Sequence, residues 1–358
     1  MIFKVATCDS VPTGRQDAAT PWLKHNLNLL EPLPGRSLTM ELSEVKRLFE
    51  SVVEQIGKVV VGQLELVEGT VIALFAEGSV LIEGPPGLGK TLLVNVLSKT
   101  VSCQFRRVQF TPDLMPSDLT GHSIYDLKQQ AFSFNEGPVF TNILLTDEIN
   151  RSPPKTQSAL LEVMQEAQVS VDGKTHILKR PFLVIATQNP IEHEGTYPLP
   201  EAQVDRFMFK LLVDYPPPAD ELEILGHYAA GRDPRRLFDF DLHPVMEADD
   251  VLQIQHVVRQ VIVEPKILKY IVDIMDASRS WGSVTIGPSP RAGVNLLLAA
   301  RTMAACRGRD FVTPDDIKEL APWVLRHRLR LRPEAELEGT TPDETIRAIM
   351  DSVEAPRS

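Results

Sequence analysis

The chain has 358 residues, of which 43% are hydrophobic, so it can bury a full core and divide into two domains. A formal net charge of −11 argues against a broad nucleic-acid-binding surface, although a local basic channel is compatible with it. The three cysteines lack C-x-x-C spacing, which favours a cytoplasmic protein without disulfides or structural zinc. No apolar run approaches the roughly twenty residues of a membrane span, which argues against membrane insertion.

The first segment, residues 1–39, differs in character from the sequence after it. It contains four prolines, scattered Gly and Asn, and no sustained hydrophobic period. We predict a largely disordered extension, or sequence upstream of a true start at Met40. A competing interpretation is a short docking helix built on the apolar side chains of Trp22, Leu23, Leu27, Leu29 and Leu30.

A regular pattern begins at Met40. Apolar residues recur at helical spacing from Leu42 to Ile56 and predict a helix that ends at Gly57. A second helix is expected from about residue 64 to 76, and the apolar run at residues 80–82 then predicts a buried strand.

A complete G-x-x-x-x-G-K-T loop follows this strand and precedes a stretch of helical apolar spacing. Glycines in such a loop let successive backbone N–H groups curl around phosphates, and the helix N-terminus adds partial positive charge. Lys90 is expected to reach the β- and γ-phosphates, and the Thr91 hydroxyl to bind Mg²⁺. The sequence therefore predicts a nucleoside triphosphate site formed by Gly84, Pro85, Pro86, Gly87, Leu88, Gly89, Lys90, Thr91 and Leu92.

Two adjacent acids end a later apolar run, residues 143–146. Successive side chains at a strand end project to opposite sides, so neighbouring acids can take different roles. Asp147 is expected to hold the metal through water, and Glu148 to polarise the attacking water as general base. This pair predicts hydrolysis of the nucleotide as well as binding.

Strand and helix signals alternate to about residue 213, as in a doubly wound α/β domain. Residues 215–218 contain three consecutive prolines and predict a stiff hinge. Helical segments follow near residues 219–229, 248–260, 264–280, 290–306 and 314–329. We therefore predict a nucleotide-binding domain at residues 40–215, a helical lid at 216–332, and a C-terminal tail at 333–358 with one short helix near 343–353.

Several long strings resemble the MoxR family of AAA+ ATPases and occur in the expected order from about residue 41 to 330. They are FTPDLMPSDLTG at 110–121, FSFNEGPVF at 132–140, DEINRSPPKTQ at 147–157, ATQNP at 186–190, EGTYPLPEAQVDRF at 194–207, SPRA at 289–292 and VTPDD at 312–316. The resemblance implies an AAA+ P-loop core, a parallel sheet flanked by helices, with a C-terminal all-helical lid. The nucleotide it implies is ATP.

The resemblance also implies roles for residues outside the phosphate loop. Asn189, after the apolar run at 182–186, would orient the lytic water as sensor 1, because a neutral amide adds no negative charge near the γ-phosphate. Arg291 would open a lid helix and reach the phosphates as sensor 2. Contacts to adenine are implied for Val60, Val61 and Gly62.

Arg206 is similar in position to the arginine finger that completes a neighbouring subunit's site. A planar cation at the γ-phosphate neutralises charge that develops during transfer and is worth roughly 10³–10⁵ in rate. Arg151 is a second arginine near the expected subunit boundary and stays open as the alternative trans contact.

Two inserted segments indicate where partners meet the ATPase. Residues 117–140 are expected to form a hairpin-like insertion that interrupts the second helix, and residues 167–181 a hairpin that turns at Asp172-Gly173. In this branch of AAA+ proteins such hairpins line the ring pore or contact partners. Two surface loops without a role are the competing interpretation.

The resemblance implies a chaperone-like ATPase that remodels or matures partner proteins as a hexameric ring. The implied clients carry a von Willebrand factor A domain with a metal-ion-dependent adhesion site. One alternative is a DNA-remodelling motor, against which the acidic composition argues. Others are the motor subunit of a metal chelatase and a nucleotide switch that does not hydrolyse, although the complete set Asp147, Glu148, Asn189 and Arg206 argues against the switch.

Overall fold

A computed structural model describes residues 40–128, 130–190 and 195–356 of the protein. The predictions for residues 1–39 therefore lie outside the described residues, as does Glu194 of the family string at 194–207. Within the described part, no helix is both long and apolar enough to cross a membrane.

The first two helices are α1 (Leu42–Gly57) and α2 (Leu64–Phe75). On α1 the side chains of Val45, Leu48, Val52 and Ile56 are buried at the three- and four-residue spacing seen in the sequence, which confirms the predicted stripe. The rest of the core follows as β1 (Val80–Glu83), α3 (Lys90–Thr100), β2 (Phe105–Gln109), α4 (Pro116–Thr120), β3 (Gly121–Asp126), β4 (Ala131–Glu136), β5 (Ile143–Asp147), α5 (Pro154–Glu166), β6 (Gln168–Val171), β7 (Lys174–Ile177), β8 (Leu183–Gln188), α6 (Glu201–Val204) and β9 (Phe209–Leu212).

Five of these strands form one parallel sheet in the order β2-β5-β8-β1-β9. Strands β5 and β8 pair with Leu144 opposite Val184, and both are apolar and buried because helices cover both faces of such a sheet. The carboxyl ends of parallel strands meet at one edge of the sheet. The loop after β1, the acids at the end of β5 and Asn189 after β8 therefore converge there.

Two antiparallel hairpins project from this core. Strands β3 and β4 pair from Gly121–Glu136 to Asp126–Ala131, and β6 pairs with β7 across a two-residue turn. Asp172 and Gly173 both have positive φ, 51° and 75°, as a type I′ turn requires, so the predicted turn is confirmed. The ring of Phe134 stacks on His176 with 4.0 Å between centroids and joins the two hairpins.

The remaining chain is mainly helical, with α7 (Pro218–Ala229), α8 (Ala248–Val258), α9 (Pro265–Ser280), β10 (Val284–Ile286), α10 (Pro290–Cys306), α11 (Pro314–Leu325), β11 (Arg330–Leu331), α12 (Pro333–Leu337) and α13 (Pro342–Ser352). Helix α10 packs against both α1 and α2. One apolar core therefore continues from β1 and α3 into the lid, through residues such as Val52, Val71, Leu296 and Val324.

The last helix is part of the lid, although the sequence predicts a tail from residue 333. Helix α13 buries Ile346, Ile349 and Met350 and packs against α9 and α11. Thr341 and Glu344 form a capping box at its N-terminus, which satisfies backbone N–H groups there. Its amphipathic period is too short to decide from sequence whether it packs; the structure shows that it does. The exact domain boundaries stay a prediction.

Candidate nucleotide site

The phosphate loop lies between β1 and α3, as its sequence requires. Gly87 and Gly89 have φ of 85° and 79°, and a Cβ at either position would meet open space. Glycine is therefore needed for the left-handed backbone and not for lack of room. Lys90 begins α3, and its Nζ donates to the Gly84 carbonyl oxygen at 2.5 Å. Burial lowers the pKa of Lys90, while the carboxylates of Asp147, Glu148 and Glu83 oppose that shift.

Asp147 ends β5 and is 6% exposed. Its Oδ2 lies 2.5 Å from Nε of Arg107, and its Oδ1 accepts a hydrogen bond from the Thr187 hydroxyl at 3.1 Å. Thr187 also accepts from the Glu148 backbone N–H at 2.9 Å. One hydroxyl on β8 thus connects the two acids of the neighbouring strand.

Glu148 adopts the left-handed conformation, with φ 57° and ψ 51°, which is uncommon outside glycine and asparagine. Its Oε2 accepts a hydrogen bond from Nε2 of Gln109 at 2.7 Å and lies 3.2 Å from Nε of Arg151. Arg151 is therefore paired within its own chain. Glu148 is held between an amide on β2 and the guanidinium of Arg151, which lies four residues beyond the end of β5.

The oxygen donors of this cleft fit Mg²⁺. A threonine hydroxyl and an aspartate carboxylate are hard ligands, the type that Mg²⁺ takes in proteins together with water and phosphate oxygens. Thr91 and Asp147 line the same cavity, so these two residues would hold the ion. A bound Mg²⁺ would neutralise charge on the phosphates.

A cavity of about 770 Å³ contains this cleft. It brings together most of the predicted catalytic and phosphate-binding residues with positions that sequence reasoning missed. Its lining includes Pro86, Gly87, Gly89, Lys90, Thr91, Leu92, Asp147, Glu148 and Asn189, and also Arg107, Gln109, Thr187 and Pro234–Phe238. The last segment follows α7 and carries Arg235 and Arg236 beside the phosphate-loop helix.

The predicted adenine contacts line a separate cavity of about 290 Å³. Val60, Val61 and Gly62 line it together with Asp220 and Glu223 of α7. Gly62 has φ 73°, and a Cβ there would lie 2.5 Å from Oδ2 of Asp220, so only glycine fits between the core and α7.

Arg206 and Arg291 lie together, but in a different place. Both line a cavity of about 460 Å³, and Nη1 of Arg291 is 3.5 Å from Oδ2 of Asp205. Among the described residues that line the phosphate cavity, neither arginine is found. The sequence led us to expect Arg291 at the phosphates; in the structure it lines this second cavity, and the helix that carries it, α10, packs against α1 and α2.

Comparison with known proteins adds independent information. The model of the ATPase family associated with various cellular activities (AAA) matches residues 79–209, and that of the AAA lid domain matches residues 276–349. Chaperone MoxR1 of Mycobacterium tuberculosis is 43% identical over 357 residues, covering 97% of this chain and 92% of that protein. This chain belongs to the MoxR family of AAA+ ATPases. Protein MoxR of Methylorubrum extorquens is 31% identical over 345 residues, 90% of this MoxR-family chain and 98% of that protein.

Two further relatives agree with this assignment. The uncharacterized protein YeaC of Bacillus subtilis is 47% identical over 309 residues, 86% of the chain and 95% of that protein. A solved structure from Cytophaga hutchinsonii, named "putative ATPase", matches with a TM-score of 0.81 and 42% identity over 88% of this chain and 97% of that one. The MoxR-family chain is thus an ATPase with the predicted α/β core and helical lid.

Arg107, Gln109 and Thr187 are the residues at the acids that sequence reasoning missed. Arg107 and Gln109 lie two positions apart on β2, so they share one face of the strand. Gln109 pairs in register with Asp147. The available signal was this alternation of polar residues at the carboxyl end of a strand, beside a strand that ends in acids.

Proposed function

We propose that this ATPase couples ATP hydrolysis to the remodelling or maturation of partner proteins, as a ring oligomer whose nucleotide sites are completed by arginines of the neighbouring subunit. The observation that carries the proposal is the separation of charges within one chain. Lys90, Glu148 and Asn189 line one cavity, whereas Arg206 and Arg291 line another. A second copy can bring the two sets together.

The residues predicted to bind and hydrolyse the nucleotide have separate roles in this proposal. Lys90 and the backbone of the loop bind the phosphates, and Thr91 and Asp147 hold Mg²⁺. Glu148 takes a proton from the attacking water, and Asn189, 6% exposed, orients that water. Val60, Val61 and Gly62 contact adenine.

Arg206 is the trans arginine that we favour over Arg151. Arg151 pairs with Glu148 of its own chain at 3.2 Å, whereas Arg206 lines a cavity that does not contain Asp147 or Glu148. In the proposed ring Arg206 approaches the γ-phosphate of the neighbour, where a guanidinium stabilises the charge of the transition state. Arg291 lies beside it and acts on the same neighbouring site.

The clients in this proposal are partner proteins. The relative from M. tuberculosis carries the name chaperone, which supports a protein substrate. Family resemblance favours clients with a von Willebrand factor A domain, and the two hairpins joined by Phe134 and His176 are the surface that we propose for them. We also propose that the ring is a hexamer and that it acts in the cytoplasm.

The test of assembly is a mixing experiment. Arg206→Ala should bind ATP with nearly unchanged affinity and hydrolyse it about tenfold or more slowly. Mixing it with Glu148→Gln should restore part of the activity, because one mixed interface then combines an intact base with an intact arginine. Arg47→Ala, which removes an exposed arginine of α1 paired with Glu44, serves as the control. Absence of rescue in an oligomer shown to exchange subunits would refute the trans arrangement.

The test of the client class is capture. Glu148→Gln loaded with ATP should retain a purified protein with a von Willebrand factor A domain, and Lys90→Ala, which lacks the phosphate contact, should not. Equal retention by both variants, or by neither, would contradict ATP-dependent client binding.

A further inference from the structure

Arg328 is a buried guanidinium at the boundary between lid and core. Its side chain is 1% exposed, and it follows the C-terminal end of α11. Burial lowers the pKa of Arg328 and Asp205 opposes the shift, but an arginine stays protonated. A buried charge of this kind is tolerated only when its donors are hydrogen-bonded. The acceptors of Arg328 therefore identify the parts of the chain that this guanidinium holds together.

Most of these partners belong to one short segment of the core. Nε donates to Oδ1 of Asp205 at 2.8 Å, and Nη2 donates to the carbonyl oxygens of Asp205 at 2.8 Å and Phe207 at 2.5 Å. Nη1 donates to the carbonyl oxygen of Met208 at 3.2 Å and to that of Val324. One planar group thus fixes the backbone on both sides of Arg206.

Asp205 extends the same contact to the helix that carries Arg291. Its carboxylate accepts hydrogen bonds from the Ser289 hydroxyl, 3.1 Å from each oxygen, and lies 3.5 Å from Nη1 of Arg291. Ser289 is the N-cap residue of α10, yet its hydroxyl makes no capping bond to that helix. The hydroxyl is used to bind Asp205 instead.

We infer that Arg328, together with Asp205 and Ser289, is a positioning device that holds Arg206 and Arg291 at one fixed spacing for delivery to the neighbouring nucleotide. The inference rests on the proposed trans arrangement. Arg328 and Asp205 touch the segment that carries Arg206 and do not line the phosphate cavity described above. Their effect on hydrolysis must therefore pass through the two arginines to another subunit.

Arg328→Lys is the first variant, because an ammonium keeps the charge but cannot span a carboxylate and several carbonyl groups. Arg326→Lys is its matched control. Arg326 is also buried at this boundary and pairs with Asp343 at 3.0 and 2.9 Å and with the Lys210 carbonyl at 3.2 Å, but it makes no contact with residues 205–208 among its described bonds. Ser289→Ala is a milder second variant that keeps the buried arginine in place.

The measurements are ATP affinity, turnover, thermal melting, and turnover after mixing with Lys90→Ala subunits. The latter cannot bind ATP tightly but carry an intact Arg328 and Arg206. We expect Arg328→Lys to lose about tenfold or more in turnover with ATP affinity within about twofold, and to regain activity on mixing. Ser289→Ala should show a smaller loss with the same rescue, and Arg326→Lys should stay within about twofold of the parent.

Arg206→Ala in the same mixture separates this inference from the proposed function. Rescue of Arg206→Ala without rescue of Arg328→Lys and Ser289→Ala would overturn the positioning role and leave the trans arginine intact. Failure to rescue Arg206→Ala would overturn both. Equal losses in Arg328→Lys and Arg326→Lys would show general loosening of the lid and would also overturn the inference.

Discussion

Arg107 and Asp147 form an ion pair in the nucleotide cleft, with 2.5 Å between Nε of Arg107 and Oδ2 of Asp147. They come from adjacent strands, since β2 and β5 pair in parallel. The side chain of Arg107 is 51% exposed and that of Asp147 is 9% exposed, so the arginine is the partner that can move away. The guanidinium of Arg107 therefore pairs with the same carboxylate that the proposed Mg²⁺ site uses.

Replacing Arg107 should strengthen the coupling between metal and nucleotide. In Arg107→Met, we expect Mg²⁺ to improve ADP binding more than in the parent protein, by about two- to fivefold, because a partly exposed ion pair is worth about 0.5–1 kcal/mol. Titrations of ADP with Mg²⁺ and with chelator measure this ratio. Arg106→Met is the control, since Arg106 donates to the Gly137 carbonyl at 3.0 Å and not to Asp147. An unchanged or smaller ratio in Arg107→Met would argue against competition.

Lys90 and Glu148 should separate binding from hydrolysis. Lys90→Ala is expected to abolish tight ATP binding, because the ammonium contacts phosphate in the ground state. Glu148→Gln should bind ATP and fail to turn it over, since the base acts only in the hydrolytic step. Nucleotide binding and phosphate release measured on both variants give the answer. Wild-type turnover in Glu148→Gln would show that another group is the base.

Thr187 should matter for turnover more than for binding. Its hydroxyl donates to Asp147 and accepts from the Glu148 backbone, so Thr187→Val should misplace both acids and lower turnover about tenfold, with ATP affinity within about twofold. Thr146→Val is the matched control on β5, because that buried hydroxyl lies 3.5 Å from the Ile185 carbonyl and contacts neither acid through a described bond. Similar turnover in the two variants would show that the Thr187 hydroxyl does not position the two acids.

Asp316 should make the stability of the lid depend on pH. It is fully buried, and burial alone would raise the pKa of Asp316, but hydrogen bonds from Arg309 and Thr313 outweigh this and its pKa lies below the usual value. A lowered folded-state pKa means stabilisation that is complete above about pH 4 and is lost as the pH falls through the folded value.

Asp316→Asn should therefore lower the free energy of unfolding by about 1.5–3 kcal/mol at pH 7, because Arg307 and Arg309 lose a charged hydrogen-bond partner. The difference from the parent protein should shrink below about pH 4. Urea unfolding between pH 7 and pH 3 measures it. Asp273→Asn, which breaks an exposed pair with Lys269 on α9, should cost less than about 1 kcal/mol. A pH-independent difference would contradict the assignment.

Removal of residues 1–39 should leave nucleotide binding and ATPase activity essentially unchanged. Helix α1 begins at Leu42 and has its own buried stripe, so the described fold does not need the preceding sequence to define its first element. Melting and ATPase assays on a protein that starts at Met40 check this. A melting temperature lower by more than about 5 °C would mean that the segment stabilises the core.

The predicted site residues that lie together in the phosphate cavity are those whose neighbours in sequence are also neighbours in space. Lys90 and Thr91 belong to one loop, and Asp147 and Glu148 end one strand, so local pattern was sufficient to bring them to one edge of a parallel sheet. Thr187 needed the register between β8 and β5, which fixes which hydroxyl faces which acid. No local pattern contains that register.

Arg291 shows a second limit. The Pro-Arg pair at the start of α10 correctly predicted a helix, but the direction in which that helix presents its first turn depends on how it packs against α1 and α2. Helix α10 begins more than two hundred residues after the end of α2, so its contact with α1 and α2 is a property of the whole fold. The segment at residues 234–238 was missed for the same reason, since its place at the phosphate cavity depends on contacts distant in sequence, such as the hydrogen bond from the Val245 backbone N–H to the Thr100 carbonyl at 2.7 Å.

The apolar core that continues from β1 and α3 into the lid has a mechanical consequence. Opening of the lid away from the core would expose side chains such as Val52 and Leu296, which are fully buried. Close packing of this kind resists gradual deformation. We therefore expect a displacement at the phosphate loop to rotate the core and the lid together as one rigid body. In the proposed ring, relative motion would then be confined to the interfaces between subunits, where it would act on a bound client as force.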